Sequence, residues 1–250
     1  MNENAKMAID TVIFDFDGTV MDTNGLIMSS WLHAFREIAG KDGSEEEIRG
    51  SFGEPLEDTA AKFFPGYDTA EVVRVYRAYH AERYFEAIRL FPGMLELLER
   101  LKSDGYALGL VTARQRHTTQ IGFDKYRLDR FFDALVAVED TENPKPAPDP
   151  ILLCLNILGK APGRSIMVGD TKHDIQSARA AGLPSVLVGW SVAVPPDDRS
   201  GPDGPDFVID SPDGLLDIIN RMECKEVQNV QKDFDPRRRG PRIDRSEKDG

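Results

Sequence analysis

The sequence places pairs of carboxylates where short apolar segments end. The first pair lies in Phe14-Asp15-Phe16-Asp17-Gly18-Thr19, at the close of the apolar run Thr11–Asp15. Two acids at a spacing of two can point the same way from an extended segment. Gly18 lets the backbone turn sharply and come close to a ligand. Neighbouring carboxylates favour either a shared proton or a bound cation. Asp-Gly is also a common turn pair, but a buried apolar strand directly before it weights the reading toward function. The second group is Gly169-Asp170-Thr171-Lys172-His173-Asp174, after the apolar run Ser165–Gly169. Capping of the next helix would account for one of these acids, not for all four. Asp15, Asp17, Asp170 and Asp174 together would repel one another without a cation. Hard carboxylate oxygens with room for water suit Mg²⁺.

Two further segments carry the opposite character. Thr112-Ala113-Arg114 offers a hydroxyl, turn amides and a guanidinium, and Asn143-Pro144-Lys145-Pro146 sets a lysine in a rigid loop. Hydroxyl, amides and ammonium are the parts that hold a phosphoryl group. Taken singly, Thr112 reads as a strand-end hydroxyl and Lys145 as a surface lysine; their order along the chain changes that weighting.

The elements that must position these residues follow from the apolar pattern. Thr11–Asp15, Ala107–Thr112, Ala134–Val138, Ser165–Gly169, Ser185–Gly189 and Phe207–Asp210 are nearly continuous apolar runs. That pattern suits strands buried on both faces of a parallel sheet. Helices lie between them, several closed by glycine: Gly105, Gly159 and Gly182. Strand-helix alternation predicts a Rossmann-like, doubly wound α/β sheet, whose ligands bind at the carboxyl ends of the strands. One interval breaks the alternation. Between the first strand and Phe91-Pro92-Gly93 there are about seventy residues without a good strand, and Asn24–Ala39, Glu45–Ser51, Glu57–Phe64 and Thr69–Ala87 read as helices. The expected division is a core of residues 1–21 and 89–224, an inserted four-helix cap of residues 22–88, and a tail of residues 225–250.

The chain has 250 residues and a formal net charge of −12. Apolar residues make up 40% of it, enough for a sizeable core. No apolar run approaches the ~20 residues of a membrane span, and the first ten residues have no apolar h-region. Two cysteines, Cys154 and Cys224, suggest neither a disulfide scaffold nor a zinc site. The expectation is a cytoplasmic enzyme, monomer or homodimer, with no membrane partner. The acidity disfavours nucleic acid. The tail departs from this, with 8 basic and 6 acidic residues from Lys225 to Gly250. Too few apolar residues remain there to offset ordering entropy, so it is expected to be disordered.

With four segments in order, the sequence resembles the haloacid-dehalogenase-like hydrolases, in the subclass with a helical cap after the first strand. The motifs are Asp15-Phe16-Asp17-Gly18-Thr19, Thr112, Lys145, and Gly169-Asp170 with Asp174. The run Asp22–Ser30 looks like the pyrophosphatase branch, near the phosphoglycolate phosphatases. The resemblance implies a Mg²⁺-dependent phosphatase acting on a small phosphorylated metabolite, a phosphoglycolate-like phosphomonoester or pyrophosphate. It implies Asp15 as nucleophile, Asp17 as general acid and base, and Thr112, Ala113 and Lys145 around the phosphoryl oxygens. Mg²⁺ is implied on Asp15, the Asp17 carbonyl and Asp170, with Asp174 in support. Asp17 argues against a dehalogenase, since a halide leaves without a proton. Ala113 departs from the Asn common in these phosphatases and resembles phosphosugar mutases of the β-phosphoglucomutase kind, an alternative that shares the aspartyl-phosphate. A catalytically silent binding or regulatory module is the alternative of another class; four intact motifs argue against it.

In the cap, the loop Ser51–Leu56 is the candidate to face the site through Gly53, with Arg49 and Arg114 as candidate contacts to a substrate anion. Trp31, Phe35, Tyr76, Tyr79 and Phe85 read as cap core. His33, His80 and His117 read as surface groups, and His173 as the one histidine of interest. Hinges are expected near Met21–Asn24 and Arg89–Gly93.

Overall fold

The structure, a computed structural model, describes residues 9–195 and 199–222. Six parallel strands form one sheet: β1 (Thr11–Phe14), β4 (Ala107–Val111), β5 (Ala134–Val136), β6 (Ser165–Gly169), β7 (Ser185–Val188) and β8 (Phe207–Ile209), in the spatial order β5-β4-β1-β6-β7-β8. The fold is the α/β doubly wound class the sequence predicts. Alternate residues of β1 feed opposite faces. Val12 and Phe14 join a core with Leu97, Leu98 and Leu101 of α5 (Met94–Ser103) and with Leu215 and Ile219 of the helical residues 214–222. Ile13 joins Ile151 and Cys154 of α7 (Asp149–Leu158) and Ala178 of α8 (Lys172–Ala181). Covering both faces is what makes the strands continuously apolar.

Several strands end a residue or more sooner than the sequence suggests. Asp15 and Thr112 lie just outside β1 and β4, each still donating its backbone N–H to the neighbouring strand, Asp15 to Val168 O (2.9 Å) and Thr112 to Val136 O (3.0 Å). Beyond them the chain turns toward the site. Three elements go beyond the sequence reading. Met21–Asp22 (β2) and Arg89–Leu90 (β3) pair antiparallel, too short to give a pattern. Helix α6 (Arg116–Tyr126) has few apolar residues, and its N-cap Gln115 makes no side-chain cap.

Between β2 and β3 the chain forms α1 (Asn24–Ala39), α2 (Glu45–Gly50), α3 (Leu56–Phe63) and α4 (Thr69–Ala87). These have an apolar cluster of their own, including Trp31, Phe35, Ile48, Phe64, Val72 and Tyr76. Trp31 packs 4.6 Å from Tyr76 and Phe35 packs 4.6 Å from Phe64, ring centroid to centroid. Phe85, read as core, is instead 54% exposed; it sits in the last turn of α4 beneath Lys125. Tyr79 is half-buried, stacked on His33 and covered by Arg83. The β2–β3 ribbon stands where the chain leaves the sheet and returns, at both expected hinges. The far end of α4 is held by α6, whose Lys125 and Tyr126 donate to the Ile88 carbonyl at 3.1 and 3.2 Å. Among the described residues, no helix is long and apolar enough to cross a membrane. The tail 225–250 and Cys224 lie outside the described residues.

Candidate active site

Because β1, β4 and β6 are parallel neighbours, their carboxyl ends deliver Asp15, Thr112 and Asp170 to one edge of the sheet. Lys145, from the loop between β5 and α7, reaches the same point and is 5% exposed. Its Nζ donates to Asp15 Oδ1 and Asp174 Oδ1, both at 2.6 Å, and to the Val111 carbonyl at 3.1 Å. An ammonium has three N–H donors, so all three are committed. Asp174 stands in the first turn of α8 and completes a capping box with the N-cap Thr171: Oδ2 accepts from the Thr171 N–H (3.0 Å) and Thr171 Oγ1 (2.7 Å). Capping and site are therefore joint roles of Asp174, not alternatives.

Burial pushes the Asp15 carboxyl up to about 7, against the pull of Lys145 and with the Asp174 charge adding to the rise. Burial, followed by the charges of Asp15 and Asp174, holds Asp170 well above its ordinary value. Lys145 moves the other way from what burial alone would do: the two carboxylates keep it protonated and above its usual range. Oxygens of Asp15, Asp170 and Asp174 lie within 4.8 Å of one another. Asp170 Oδ1 is buried and has no hydrogen-bond partner. A stranded carboxylate oxygen among raised acids is the donor set a hard divalent cation satisfies.

Asp17 turns away from this cluster. Arg114 clamps it through Nε to Oδ2 (2.9 Å) and Nη2 to Oδ1 (2.8 Å). Both oxygens of the Asp17 side chain are thereby engaged, and it stands outside the group formed by Asp15, Asp170 and Asp174. Burial alone would raise the Asp17 carboxyl; the Arg114 guanidinium outweighs it and holds Asp17 below its ordinary value. Arg114 itself lies over the Tyr84 ring, 4.6 Å from its centroid, a cation-π contact. His80 is stacked between Tyr76 and Tyr84 and is 7% exposed. This corrects its reading as a surface group. Burial, helped by the Arg114 charge, pushes its imidazole down to about 4, so it is neutral at physiological pH.

Comparison with known proteins decides the family. The model of the haloacid dehalogenase-like hydrolases matches residues 12–188. This chain belongs to that family. It is 34% identical over 218 residues to pyrophosphatase PpaX of Bacillus mycoides, covering 86% of this chain and 99% of that protein. It is 37% identical over 214 residues to pyrophosphatase PpaX of Halalkalibacterium halodurans, covering 85% and 98%. Among solved structures, a haloacid dehalogenase-like family hydrolase from Streptococcus pneumoniae aligns with TM-score 0.73 at 29% identity, covering 84% of this chain and 98% of that one. A predicted phosphoglycolate phosphatase from Haemophilus somnus aligns equally well, TM-score 0.73 with 84% and 97% covered; at 24% identity it shows the fold alone. The chain is thus an enzyme of the family's phosphatase branch, a hydrolase of phosphate esters or anhydrides.

The four family motifs surround one cavity of about 440 Å³, lined by Asp15, Asp17, Thr112, Ala113, Lys145 and Asp170 on the sheet side. Its other wall comes from the helical block, with Trp31, Tyr76, His80, Tyr84 and the loop Ser51–Leu56. Gly53 meets the sheet domain here. At φ +84°, a Cβ on it would lie 2.8 Å from Thr171 Cγ2, so only glycine allows this approach. Arg49 is not brought to the site; it is exposed and paired with Glu45 on the same helix (2.9 Å). The cavity cation from the helical block is Arg77, paired with Glu57 at 2.8 Å. Arg77, Tyr84 and His80 went unread as site residues, although His80 carries aromatic residues at i−4 and i+4. His173 has a buried Nδ1 with no partner and does not line the cavity.

Proposed function

We propose that this enzyme is a Mg²⁺-dependent phosphatase of small, doubly anionic phosphorylated compounds, pyrophosphate first and phosphoglycolate-like monoesters next, working through an aspartyl-phosphate on Asp15. The observation that carries the reading is that Asp15 and Asp17 open on one cavity, one carboxylate bound to Lys145 and the other to Arg114. The relatives named pyrophosphatase, similar over nearly their whole length, support pyrophosphate.

Asp15, the Asp17 carbonyl and Asp170 would hold the cation, with Asp174 bracing Lys145. When bound, Mg²⁺ would supply positive charge that lets an anionic nucleophile meet an anionic phosphoryl group. An Asp15 oxygen attacks phosphorus, the bond to the leaving oxygen breaks, and Asp17 gives that oxygen a proton. Asp17 then takes a proton from the water that cleaves the acyl phosphate. Thr112 and the Ala113 amide border the phosphoryl oxygens. Lys145, with its donors engaged, offsets charge and fixes Asp15. Helices α1–α4, within residues 22–88, act as a cap over the cavity, excluding water during transfer.

Arg114 is the cavity's receptor for the second anion. The clamp on Asp17 must loosen for Asp17 to carry a proton, and a second anionic group on the substrate is what can draw the guanidinium away. Arg114→Ala is expected to lower kcat/KM for pyrophosphate by about 10- to 100-fold, the worth of about 1.5–3 kcal/mol in charged hydrogen bonds. The loss for p-nitrophenyl phosphate, whose leaving group has no second anion, is expected to be smaller. Equal losses on both would remove Arg114 from substrate recognition.

The site also dictates a pH response. Asp15 and Asp170 have raised values in the folded chain, so their contribution to stability is lost as pH rises, through about 7 for Asp15. His80, with its lowered value, acts oppositely but only below about 6.5. Metal-free protein is therefore expected to melt at a lower temperature at pH 8.5 than at pH 6.5, and Mg²⁺ to raise the melting temperature more at the higher pH. Thermal melts in EDTA and in Mg²⁺ check this. The function itself is tested by a phosphate-release screen with pyrophosphate, phosphoglycolate and hexose phosphates. Free phosphate from pyrophosphate supports the reading. Glucose 6-phosphate formed from glucose 1-phosphate with little free phosphate would make the enzyme a mutase instead.

A further inference from the structure

Asp170 is held by a residue outside all four motifs. Ser191, three residues beyond β7, is 3% exposed, and its Oγ donates to Asp170 Oδ2 at 2.6 Å. A serine hydroxyl has one proton and two lone pairs. Two N–H donors approach Ser191 Oγ, Asn24 Nδ2 and the Ala193 backbone amide, each at 3.3 Å. With both lone pairs met by donors, the one hydroxyl proton goes to Asp170. Gly18 confines the same oxygen from the other side. Its φ is +78°, and a Cβ there would lie 2.0 Å from Asp170 Oδ2. The carboxylate is thus pinned by one oxygen, and the other, buried Oδ1, is left without a partner.

We propose that Ser191 is a positioning residue for the cation site. Its hydroxyl holds Asp170 Oδ2 and so presents Oδ1 as the ligand. Asn24, the first residue of α1, ties that hydroxyl to the helical block, so cation occupancy and the seating of α1 share one hydrogen-bonded group. The inference rests on the cation reading above, but concerns residues that reading does not use. Groups that orient a metal ligand are commonly worth 10- to 100-fold in affinity.

The test is direct titration of the full-length chain with Mn²⁺, free ion being measured by electron paramagnetic resonance. Ser191→Ala is expected to weaken Mn²⁺ binding by about 10- to 100-fold. Ser191→Thr, which keeps a hydroxyl, is expected to restore most of it, and Asn24→Ala to produce a smaller loss than Ser191→Ala. Unchanged Mn²⁺ affinity in Ser191→Ala overturns the proposal, as does Ser191→Thr binding as weakly as Ser191→Ala. Should Ser191→Ala melt too low to titrate, Asn24→Ala decides: weakened binding supports the proposal and wild-type binding overturns it. A wild-type chain that binds no Mn²⁺ overturns the cation reading and this inference with it, a result distinct from either failure of the variants.

Discussion

Asp15→Asn is expected to abolish phosphate release from every substrate the wild type turns over, by about 10⁴-fold or more, and to leave the fold intact. The substitution keeps the shape of the side chain. An amide oxygen still accepts the Lys145 hydrogen bond now made at 2.6 Å, but a neutral amide does not attack phosphorus. Loss of fold is not expected, because burial already penalises the ionised form of Asp15 and raises its carboxyl to about 7. A neutral group there relieves repulsion with Asp170 and Asp174, and Lys145 keeps Asp174 and the Val111 carbonyl. In EDTA at pH 8.5 the variant is expected to melt at or above the wild-type temperature. The Mg²⁺-dependent gain should shrink, since one proposed ligand has lost its charge. Phosphate release and thermal melts on the same preparation check both halves. Retained turnover would place the nucleophile elsewhere.

The parts of this site that the sequence displayed are those built by short-range rules. Asp15 was visible because a four-residue apolar strand delivers it and Gly18 turns the chain behind it. Lys145 was visible as a lysine in a proline-flanked loop, but not its engagement of three acceptors, two of which lie 130 and 29 residues away. The Arg114–Asp17 clamp joins residues 97 apart; no spacing rule connects them, and only adjacency of β4 and β1 does. Ser191 was missed for a similar reason: it lies beyond a strand end, where a lone serine reads as loop. His80 and Arg49 were misread in opposite directions. His80 carries Tyr76 and Tyr84 at helical spacing, which buries it in a stack. Arg49 carries Glu45 at i−4, which keeps it on the surface. Among the elements, α6 lacked an apolar stripe and the β2–β3 ribbon lacked length, so neither had a pattern to read.

Lys145→Met is expected to cost both activity and stability, and the stability loss separates its structural from its chemical part. Removing one partner of a buried ion pair leaves uncompensated charge and typically costs 3–5 kcal/mol. For a chain of this size that corresponds to a fall in melting temperature of roughly 6–20 °C. Two carboxylates lose their cation at once, Asp15 and Asp174, both nearly enclosed with side chains 8% and 1% exposed. Asp15 can relieve the imbalance by keeping a proton, as its raised value shows. Asp174 stays fixed in place, because Oδ2 accepts two hydrogen bonds from Thr171 at the start of α8. The destabilisation should therefore be smaller at pH 6.5 than at pH 8.5. Mg²⁺ should recover part of it at the higher pH by supplying the missing charge. Lys145→Met/Asp174→Asn removes both ends of one pair and is expected to melt above Lys145→Met alone. It should remain inactive, since Asp15 would have neither its cation partner nor a fixed orientation. Melts of the single and double variants across pH, with and without Mg²⁺, check this. A single variant as stable as wild type at pH 8.5 would mean that the carboxylates are not held by Lys145, and its place in the site would have to be redrawn.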